Sequence, residues 1–327
     1  MGLKGYLISF MSFQRKTSKP YVEQFQALRW GEAKSARLEG PAVLIHGGLG
    51  DQLARRAEIV RALNRIGRSI QALLKKNLPP VELAVAAVRN LEDEPIFNAG
   101  FGARLQKDGI PRLSSSVMDG AHRKFSSVSN ILSQRHPSSI ALSLQNERDR
   151  NLCSHEASLY AYSKGFFPEH VETEDRVLEY RRKLEGETGT VGAVVLGRDM
   201  KTAACTSTGG RGFEVPGRIS DSCTSAGNFA SPFAAVSCTG VGEEIVEAAL
   251  ASSIVTRVED GFDLSEAVTR SFRSHQTKRF GVISLDRFGN ACVYATKGAL
   301  SFALVTTSKI FVGLLPQDWA GICRKTD

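Results

Sequence analysis

The sequence predicts an α+β fold in which β-sheets lie between layers of helices. Apolar, β-branched runs at Val191–Leu196 and Thr202–Thr208 predict a strand hairpin, and residues 280–295 contain a second pair of strands. Residues 53–76, upstream, and 243–259, between the two pairs, have the 3.6-residue apolar period of helices. Strand pairs flanked by amphipathic helices bury both apolar surfaces when the helices cover the sheets.

The composition is that of a globular protein with a substantial core. The chain has 327 residues, of which 42% are hydrophobic. No apolar run approaches the roughly eighteen residues of a membrane helix. The net charge of +8 raises the alternative of a nucleic-acid partner. In the helix at 53–76, however, the basic residues lie opposite the apolar ones without interleaved aromatics, so we expect a solvated basic face and neither a nucleic-acid nor a membrane partner.

The six cysteines are scattered and predict no metal site. None belongs to a Cys-x-x-Cys pair, the usual spacing of zinc ligands. In a chain of this length they are expected to be reduced thiols. Residues 1–13 carry one lysine and a short apolar patch without a small-residue cleavage site, which disfavours a signal peptide. We therefore expect a cytoplasmic location.

The first half of the chain predicts a strand followed by two helices. Residues 41–45 form an apolar strand that ends in the glycine-rich turn 46–50, where His46 is expected to be structural. The helix at 53–76 has one apolar side, composed of Ile59, Ala62, Leu63, Ile66, Ile70 and Leu73. A second helix begins at Pro80, where proline suits the first turn, and runs to about residue 91.

Local composition predicts the segments that follow. Asp108-Gly109 marks the turn of a hairpin at 105–113, which leads into a strand at 113–118. Residues 168–189 are rich in Glu, Arg and Lys with little apolar content, so they are expected to be a mobile linker. A short helix at 264–272, with Asp263 as its N-cap, follows the helix at 243–259.

Thr190 stands where the charged linker ends and the strand Val191–Leu196 begins. If the bond before it is cut, its hydroxyl lies on the same residue as a free α-amino group. That amine has a reference pKa of about 8, so near neutral pH it can act as the base that activates the hydroxyl. Gly189 suits the scissile position because it lacks a Cβ and leaves its carbonyl open to attack. Taken alone, a Gly-Thr pair before a strand is usually only a turn.

Further short motifs accompany this pair in one order along the chain. They are His46-Gly47-Gly48, Phe97-Asn98-Ala99-Gly100-Phe101-Gly102, Thr206-Ser207-Thr208-Gly209-Gly210, Gly217-Arg218-Ile219-Ser220-Asp221 and Ala235-Val236-Ser237-Cys238-Thr239-Gly240-Val241-Gly242-Glu243. Together with Gly189-Thr190, the set resembles the plant-type L-asparaginase/isoaspartyl peptidase family of threonine-type N-terminal-nucleophile hydrolases. The resemblance runs from about residue 43 to about residue 289.

The resemblance implies one N-terminal-nucleophile hydrolase domain over residues 1–327, built as a four-layer αββα sandwich. It implies that the chain cleaves itself between Gly189 and Thr190 into an α chain, 1–189, and a β chain, 190–327. It also implies a homodimer of such αβ units.

The same resemblance assigns roles to four residues of the active site. Thr190 is the catalytic nucleophile, and Thr208 forms a hydrogen bond with it. Thr239 and Gly240 supply a hydroxyl and a backbone N–H that stabilise the developing oxyanion and contact the substrate. Without the motifs around them, Thr208 and Thr239 would be ordinary strand threonines.

Arg218 and Asp221 are implied to bind the substrate. Arg218 would bind an α-carboxylate in a fork, and Asp221 would bind an α-ammonium group. L-Asparagine and β-aspartyl dipeptides present both charges, so the resemblance implies hydrolysis of the side-chain amide of both, with release of L-aspartate. Judged only by its spacing, the pair is a surface salt bridge of little energy.

The resemblance also implies a structural sodium ion and no cofactor for catalysis. The ligands would be the main-chain carbonyl oxygens of Leu91, Glu92, Glu94, Phe97, Ala99 and Phe101. Carbonyl oxygens suit an alkali cation, and glycines permit the tight loop around it. The side chains of Glu92, Asp93 and Glu94 are interpreted as a charged helix end rather than as acid/base or divalent-metal groups.

The chain departs from the family pattern near the proposed site. Ser220 stands where the family has glycine, Cys223 stands where it has proline, and the stretch 221–227 is one residue short. The three serines at 114–116 follow Leu113 where the family has a Leu-Asp-Ala run. These changes favour weakened or altered activity.

Two other functions stay open at this point. A glycosylasparaginase-like amidase shares the threonine and the charged pair, but that branch usually has aspartate before the threonine and follows a secretory route, so Gly189 and the N-terminus disfavour it. A degenerate homologue that binds without cutting is favoured by the serines at 114–116 and by the shortened stretch after Asp221.

Overall fold

Two β-sheets of mainly antiparallel strands form the centre of the computed structural model. The structure describes residues 6–9, 27–28, 38, 40–50, 54–182, 189–273, 275 and 277–315. The strands are β1 (Tyr6–Ser9), β2 (Ala27–Leu28), β3 (Ala42–Gly50), β4 (Leu113–Asp119), β5 (Lys124–Ile131), β6 (Asn151–Cys153), β7 (Val191–Leu196), β8 (Thr202–Thr208), β9 (Asn228–Ala230), β10 (Ala234–Gly240), β11 (Phe280–Asp286), β12 (Ala291–Ala295), β13 (Ala299–Thr306) and β14 (Ile310–Leu315). The helices are α1 (Arg56–Leu74), α2 (Pro80–Glu92), α3 (Pro137–Ser143), α4 (Ser154–Ser163), α5 (Glu174–Arg181), α6 (Gly242–Glu247), α7 (Leu250–Glu259) and α8 (Leu264–Arg273).

One sheet has eight strands and the other has six. The eight-stranded sheet has the order β14-β13-β3-β7-β8-β4-β5-β6, and the six-stranded sheet has the order β2-β1-β12-β11-β10-β9. Neighbouring strands are antiparallel except β5 and β6, which are parallel. The predicted hairpin of β7 and β8 is confirmed, with Val191 opposite Ser207 and Leu196 opposite Thr202.

Helices cover the sheets on different faces. Helices α1, α2 and α3 pack on the eight-stranded sheet, and α7 and α8 pack on the six-stranded sheet. Alternate residues of the strands in between separate the core into distinct clusters. On β3, Val43 and Ile45 pack with the helices, whereas Leu44 packs between the sheets with Ile283 and Leu285 of β11. The two-residue period of the strands therefore decides which apolar side chains join the two sheets.

The two predicted helices in the first half are confirmed. α1 buries Ile59, Leu63, Ile66 and Ile70, which recur at the 3.6-residue period. α2 begins at Pro80, as expected for proline in the first turn.

The glycine-rich segment after residue 45 is a strand rather than a turn. β3 continues to Gly50, where it pairs with Ala299 of β13 after a bulge between Leu300 and Phe302. Pairing with a distant strand therefore overrides the local turn composition. At Gly47, a Cβ would overlap the ring of Phe97, so glycine is required there by close packing.

The helix predicted at 243–259 is two helices. α6 and α7 are separated at Ala249, which has a φ of 45° in the left-handed region. The N–H of Ala251, just after this break, donates to the carbonyl of Ala226. This long-range hydrogen bond redirects the chain at an alanine, a residue that gives no local sign of a break.

The linker predicted over 168–189 is partly helical. α5 occupies Glu174–Arg181, and the Thr173 hydroxyl caps it by accepting the N–H of Arg176 at 3.3 Å. Arg176 is only 5% exposed and donates to the carbonyl of Gly102 at 2.7 Å. These contacts compensate for the low apolar content and hold a helix within the segment, while the mobile linker over 168–189 stays a prediction. Residues 183–188 lie outside the described part of the chain.

Among the helices of the described ranges, none has both the length and the apolar character needed to cross a membrane.

Candidate active site

Thr190 and Thr208 face each other where β7 begins and β8 ends. The register that pairs Val191 with Ser207 puts the preceding Thr190 beside Thr208. Thr190 is 4% exposed, and its Oγ1 lies 3.5 Å from Oγ1 of Thr208. The structure thus brings together the predicted nucleophile and its predicted partner.

The carbonyl oxygen of Gly189 accepts two side-chain hydrogen bonds. The Thr208 hydroxyl donates to it at 2.7 Å, and the Asn98 amide donates to it at 3.2 Å. The same Asn98 amide also donates to the carbonyl of Gly210 at 2.6 Å, and its Oδ1 accepts the N–H of Arg104 at 2.9 Å. The hydrogen bonds from Thr208 and Asn98 polarise the Gly189 carbonyl, which directly precedes Thr190.

The Asn98 side chain had no role predicted from the sequence, where the run 97–102 served as a family motif and as a source of main-chain carbonyls. A signal was present, because Asn98 is the one side chain in that glycine-rich run that can donate a hydrogen bond.

The hydroxyl of Thr208 has a defined direction. It accepts the backbone N–H of Gly210 at 3.1 Å and donates its proton to Gly189. Its remaining acceptor capacity faces the Thr190 hydroxyl, so the proton of Thr190 points toward Thr208. The arrangement leaves the lone pairs of Thr190 free to act as a nucleophile.

Thr239 and Gly240 are the last two residues of β10, and Gly240 lines the same pocket as Thr190 and Thr208 whereas Thr239 is not among its lining residues. Thr239 is fully buried, and its Oγ1 accepts the N–H of Leu49 at 3.3 Å, which leaves the hydroxyl proton to donate elsewhere. Gly240 has a φ of 148°, and a Cβ there would overlap the carbonyl oxygen of Arg279. Only glycine fits both the backbone conformation and the space at this position.

A small pocket connects the threonines with the predicted charged pair. Its empty volume is about 280 Å³, including space open to solvent. The lining residues include predicted site residues Gly189, Thr190, Thr208, Arg218, Asp221 and Gly240. Gly242 separates the two charged side chains, since a Cβ there would lie 2.7 Å from a terminal nitrogen of Arg218 and 2.8 Å from Oδ1 of Asp221.

Arg218 forms its ion pairs with glutamates rather than with Asp221. Its Nε and one terminal nitrogen donate to the two carboxylate oxygens of Glu243 at 2.7 and 2.9 Å. A third nitrogen lies 3.5 Å from Glu214. The hydrogen bond from Arg218 lowers the pKa of Glu243 to about 2. Glu243 thus occupies the fork with which Arg218 can bind a carboxylate.

The carboxylate of Asp221 is buried and incompletely paired. Asp221 is 2% exposed, and its Oδ1 accepts a hydrogen bond from the Ser220 hydroxyl at 3.0 Å. Within the described ranges, Oδ2 has no hydrogen-bond partner. Burial raises the pKa of Asp221 to about 6, and Ser220 and Arg218 oppose this rise. A buried acceptor without a donor suits a cationic ligand.

His46 belongs to a buried polar network that joins β3 with β10 and β8. Its Nε2 lies 3.0 Å from the hydroxyl of Ser237, which lies 2.6 Å from the hydroxyl of Thr206. Burial lowers the pKa of His46 to about 3, so the imidazole is neutral at physiological pH. A neutral histidine bound to a serine between the sheets fits the predicted structural role.

The acidic run after α2 is only partly a charged helix end. Asp93 forms salt bridges with Arg135 and His136, and Glu94 pairs with Arg65. Glu92 is instead fully buried, and its carboxylate accepts the N–H and hydroxyl of Ser138 at 3.1 and 2.7 Å. Burial raises the pKa of Glu92 to about 7. The three consecutive acidic residues did not reveal which of them points inward.

The loop predicted to bind sodium is tightly wrapped around two glycines. Gly100 has a φ of 52°, and a Cβ there would overlap the carbonyl oxygen of Glu92. At Gly102, with a φ of 128°, a Cβ would lie 2.7 Å from the carbonyl oxygen of Phe97. The carbonyls of Glu92 and Phe97 thus each pack against a glycine that leaves no room for a Cβ, so close packing requires glycine at both positions.

The remaining predicted ligands of this loop are the carbonyl oxygens of Leu91, Glu94, Ala99 and Phe101. The Leu91 carbonyl accepts the backbone N–H groups of Asp93 and Glu94, the latter at 3.2 Å, and the Glu94 carbonyl accepts the N–H of Phe97 at 3.1 Å. Ala99 and Phe101 belong to the same loop, and the N–H of Phe101 donates to the carbonyl of Glu92 at 2.7 Å. In the described part of the chain, no group of three or more His, Cys, Asp or Glu side chains has the arrangement of a metal site.

Comparison with known proteins agrees with this geometry. The family model for asparaginase matches residues 39–313. Proteins of Nostoc sp. and Synechocystis sp., both named isoaspartyl peptidase/L-asparaginase, are 42% and 36% identical to this chain, with 76% of the chain and 86% and 83% of the relatives covered. The isoaspartyl peptidase of Escherichia coli is 32% identical, with 79% of this chain and 91% of the relative covered. On these matches, the chain belongs to the asparaginase family.

Proposed function

We propose that this chain is a self-processing amidohydrolase that cleaves the side-chain amide of L-asparagine and of β-aspartyl dipeptides. The observation that carries the proposal is the buried Thr190 beside a Gly189 carbonyl held by two donors, at the edge of a pocket that contains Arg218 and Asp221. The relatives' names, isoaspartyl peptidase and L-asparaginase, support the same substrates.

The first reaction is self-cleavage of the uncut chain. Oγ1 of Thr190 attacks the carbonyl carbon of Gly189, and the developing oxyanion keeps the hydrogen bonds from Thr208 and Asn98. The C–N bond breaks, the proton of the hydroxyl passes to the amine of Thr190, and an ester joins Gly189 to Oγ1. Water hydrolyses this ester, which leaves an α chain that ends at Gly189 and a β chain that begins at Thr190.

The second reaction uses the free amine of Thr190 as its base. The amine takes the proton of the Thr190 hydroxyl, which attacks the side-chain carbonyl of the substrate and forms an acyl-enzyme. Thr239 and the N–H of Gly240 stabilise the oxyanion, and ammonia or an amino acid leaves with a proton. Water then attacks the acyl-enzyme and releases L-aspartate.

Substrate binding uses the charges of the pocket. The α-carboxylate of the substrate replaces Glu243 in the fork of Arg218, and the α-ammonium group pairs with Asp221. The burial of Asp221 and its Oδ2, which has no hydrogen-bond partner among the described residues, support the second contact. Because asparagine and β-aspartyl dipeptides share this head group, both are substrates in the proposal.

We also propose an architecture, an oligomeric state, a cellular location and a bound ion for this protein. Helices on the outer faces of two packed sheets support a four-layer αββα sandwich with the linker cut at Gly189. Family membership supports a homodimer of αβ units, and the described cysteines are free, in keeping with a cytoplasmic protein. A structural sodium ion in the loop 91–101 is part of the proposal, with no cofactor for catalysis.

The test is aspartate release by the purified chain from L-asparagine and from a β-aspartyl dipeptide. Thr190→Ala removes the nucleophile, so we expect no self-cleavage and no aspartate above background. Thr256→Ala, at an exposed position of α7, is the matched control and is expected to keep the wild-type rate. A Thr190→Ala protein with wild-type activity would contradict the proposal.

A homologue that binds without cutting is the second candidate. The engagement of Arg218 by Glu243 favours it, because a carboxylate substrate must first displace a bidentate partner. Such a protein would remain one chain and would bind L-aspartate without turning over either substrate.

A further inference from the structure

We propose that Ser220 is a positioning residue that fixes the carboxylate of Asp221 for the α-ammonium group of the substrate. The inference rests on the proposed function, since it takes Asp221 as the ammonium site. Ser220 is 5% exposed and directly precedes the 3-10 turn Asp221–Cys223.

Two contacts determine the direction of the Ser220 hydroxyl. Its Oγ accepts the N–H of Ser222 at 3.3 Å, which caps the turn. It donates its single proton to Oδ1 of Asp221 at 3.0 Å, while the hydroxyl of Ser222 lies farther away at 3.4 Å. A hydrogen bond to a carboxylate is stronger than one between hydroxyls, so the proton goes to Asp221.

Hydrogen bonds from Ser116 and Thr224 hold the backbone of this turn, so the orientation of the Asp221 side chain is what remains to be determined. Ser116 on β4 donates to the carbonyl of Ser222 at 2.6 Å, and the Thr224 hydroxyl donates to the carbonyl of Asp221 at 2.7 Å. With the backbone held in this way, the Ser220 hydroxyl selects one orientation of the carboxylate. Oδ2 is then left as an acceptor for which the described part of the chain supplies no donor.

The surroundings of Asp221 make this contact matter for ionisation as well as orientation. Arg218 and Glu243 line the same pocket as the carboxylate, and the buried thiols of Cys223 and Cys238 interact with it electrostatically. Burial raises the pKa of Asp221, and the hydrogen bond from Ser220 is the largest opposing influence. Loss of the hydroxyl therefore favours the protonated form, which cannot pair with an ammonium group.

The experiment compares Ser220→Gly, Ser220→Thr and Cys223→Ala in the mature enzyme. For Ser220→Gly we expect KM for L-asparagine to rise about tenfold and kcat to stay within about twofold. The acidic limb of kcat/KM should move to higher pH. Ser220→Thr restores the hydroxyl and should restore both values. Cys223→Ala disturbs the same turn but keeps the hydroxyl, so its acidic limb should stay in place. Ser220→Ala replaces Ser220→Gly if the glycine variant does not fold.

A second readout separates this inference from the proposed function. The pKa of the Asp221 carboxyl is measured by carbon-13 NMR titration in the wild type and in Ser220→Gly, which needs no turnover. A rise in Ser220→Gly supports the positioning role even in a chain that hydrolyses nothing, an outcome that would overturn only the hydrolase. An unchanged pKa together with an unchanged KM would overturn the role of Ser220 and leave the hydrolase standing.

Discussion

The hydroxyl of Thr208 donates a 2.7 Å hydrogen bond to the carbonyl oxygen of Gly189, the residue directly before Thr190. The two residues are joined because β7 and β8 form an antiparallel hairpin, so the end of one strand meets the beginning of the other. In the uncut chain this donor polarises the carbonyl that Thr190 attacks in our proposal. The contact therefore links the hairpin to self-cleavage.

Thr208→Val removes this donor and keeps a β-branched side chain in the strand. We expect self-cleavage to slow by about 10²-fold, the typical effect of losing one oxyanion donor. Thr208→Ser keeps the hydroxyl and should cleave within a few-fold of the wild-type rate. The measurement is the fraction of cut chain over time on a denaturing gel. Equal rates for the valine and serine variants would exclude Thr208 as a donor in this step.

Asn98→Ala removes the second donor to Gly189 and the hydrogen bond to Gly210. We expect slower self-cleavage and a loss of about 1–3 kcal/mol in the free energy of unfolding, because buried carbonyls lose their partner. Asn90→Ala is the control, since the hydrogen bond that the Asn90 amide donates within the described ranges goes to the preceding turn of its own helix. The rate of cut-chain formation and the urea midpoint measure both effects. If the two alanine variants behaved alike, the assigned role of Asn98 would be wrong.

Gly240→Ala tests the steric requirement at the end of β10. The variant combines a positive φ with an overlap between Cβ and the carbonyl oxygen of Arg279. Gly261→Ala is the control, because Gly261 also has a positive φ, 95°, but nothing lies near its Cβ. We expect Gly240→Ala to lower the melting temperature much more than Gly261→Ala. Similar losses would show that φ alone, rather than packing, requires glycine at 240.

Asp221→Asn is expected to increase stability at neutral pH while it abolishes turnover. The pKa of Asp221 rises from 3.8 to about 6 on folding, so between these values the folded chain binds more protons than the unfolded chain. Stability contributed by this group therefore falls as the pH rises through that window. Above pH 6 the asparagine variant should be more stable by on the order of 1–3 kcal/mol, with no such gain below pH 4. Urea unfolding at pH 4 and pH 7 measures the difference, and an equal gain at both would contradict the raised pKa.

Glu243→Gln should free Arg218 for the substrate. The amide cannot form the charged fork seen with Glu243, so the α-carboxylate meets a weaker competitor. We expect KM for L-asparagine to fall about threefold or more, the effect expected when one hydrogen-bonded charge is removed. Glu247 is on the same helix as Glu243 and forms an exposed ion pair with Lys278. Glu247→Gln breaks that pair and should leave KM unchanged. A KM that rises in Glu243→Gln would mean that Glu243 assists binding rather than competes with it.

Local sequence patterns predicted the elements that carry the nucleophile. The β-branched run of β7 and the turn after Leu196 gave the correct bounds of both strands of the hairpin, and the amphipathic period gave α1. The resemblance to the family predicted which residues would share a pocket. Thr190, Thr208, Arg218, Asp221 and Gly240 do share one, whereas the predicted Thr239 is not among its lining residues.

Features that depend on distant contacts were not predictable in the same way. Asn98 reaches Gly189 across 91 positions of sequence, and although its run marks it as a hydrogen-bond donor, no local pattern identifies Gly189 as the acceptor. Strands β13 and β14 received no prediction, although β13 pairs with β3 and completes its long course to Gly50. The break at Ala249 depends on a hydrogen bond from Ala251 to Ala226. In each case a partner remote in sequence decides the local structure.

Self-cleavage before Thr190 is the central claim, and the mass of the denatured chain with N-terminal sequencing of its fragments tests it most directly. We predict two fragments, one of which begins Thr190-Val191-Gly192, and their appearance would identify the nucleophile. A single chain of 35.5 kDa that stays intact after long incubation, and that releases no aspartate from either substrate, would contradict the account.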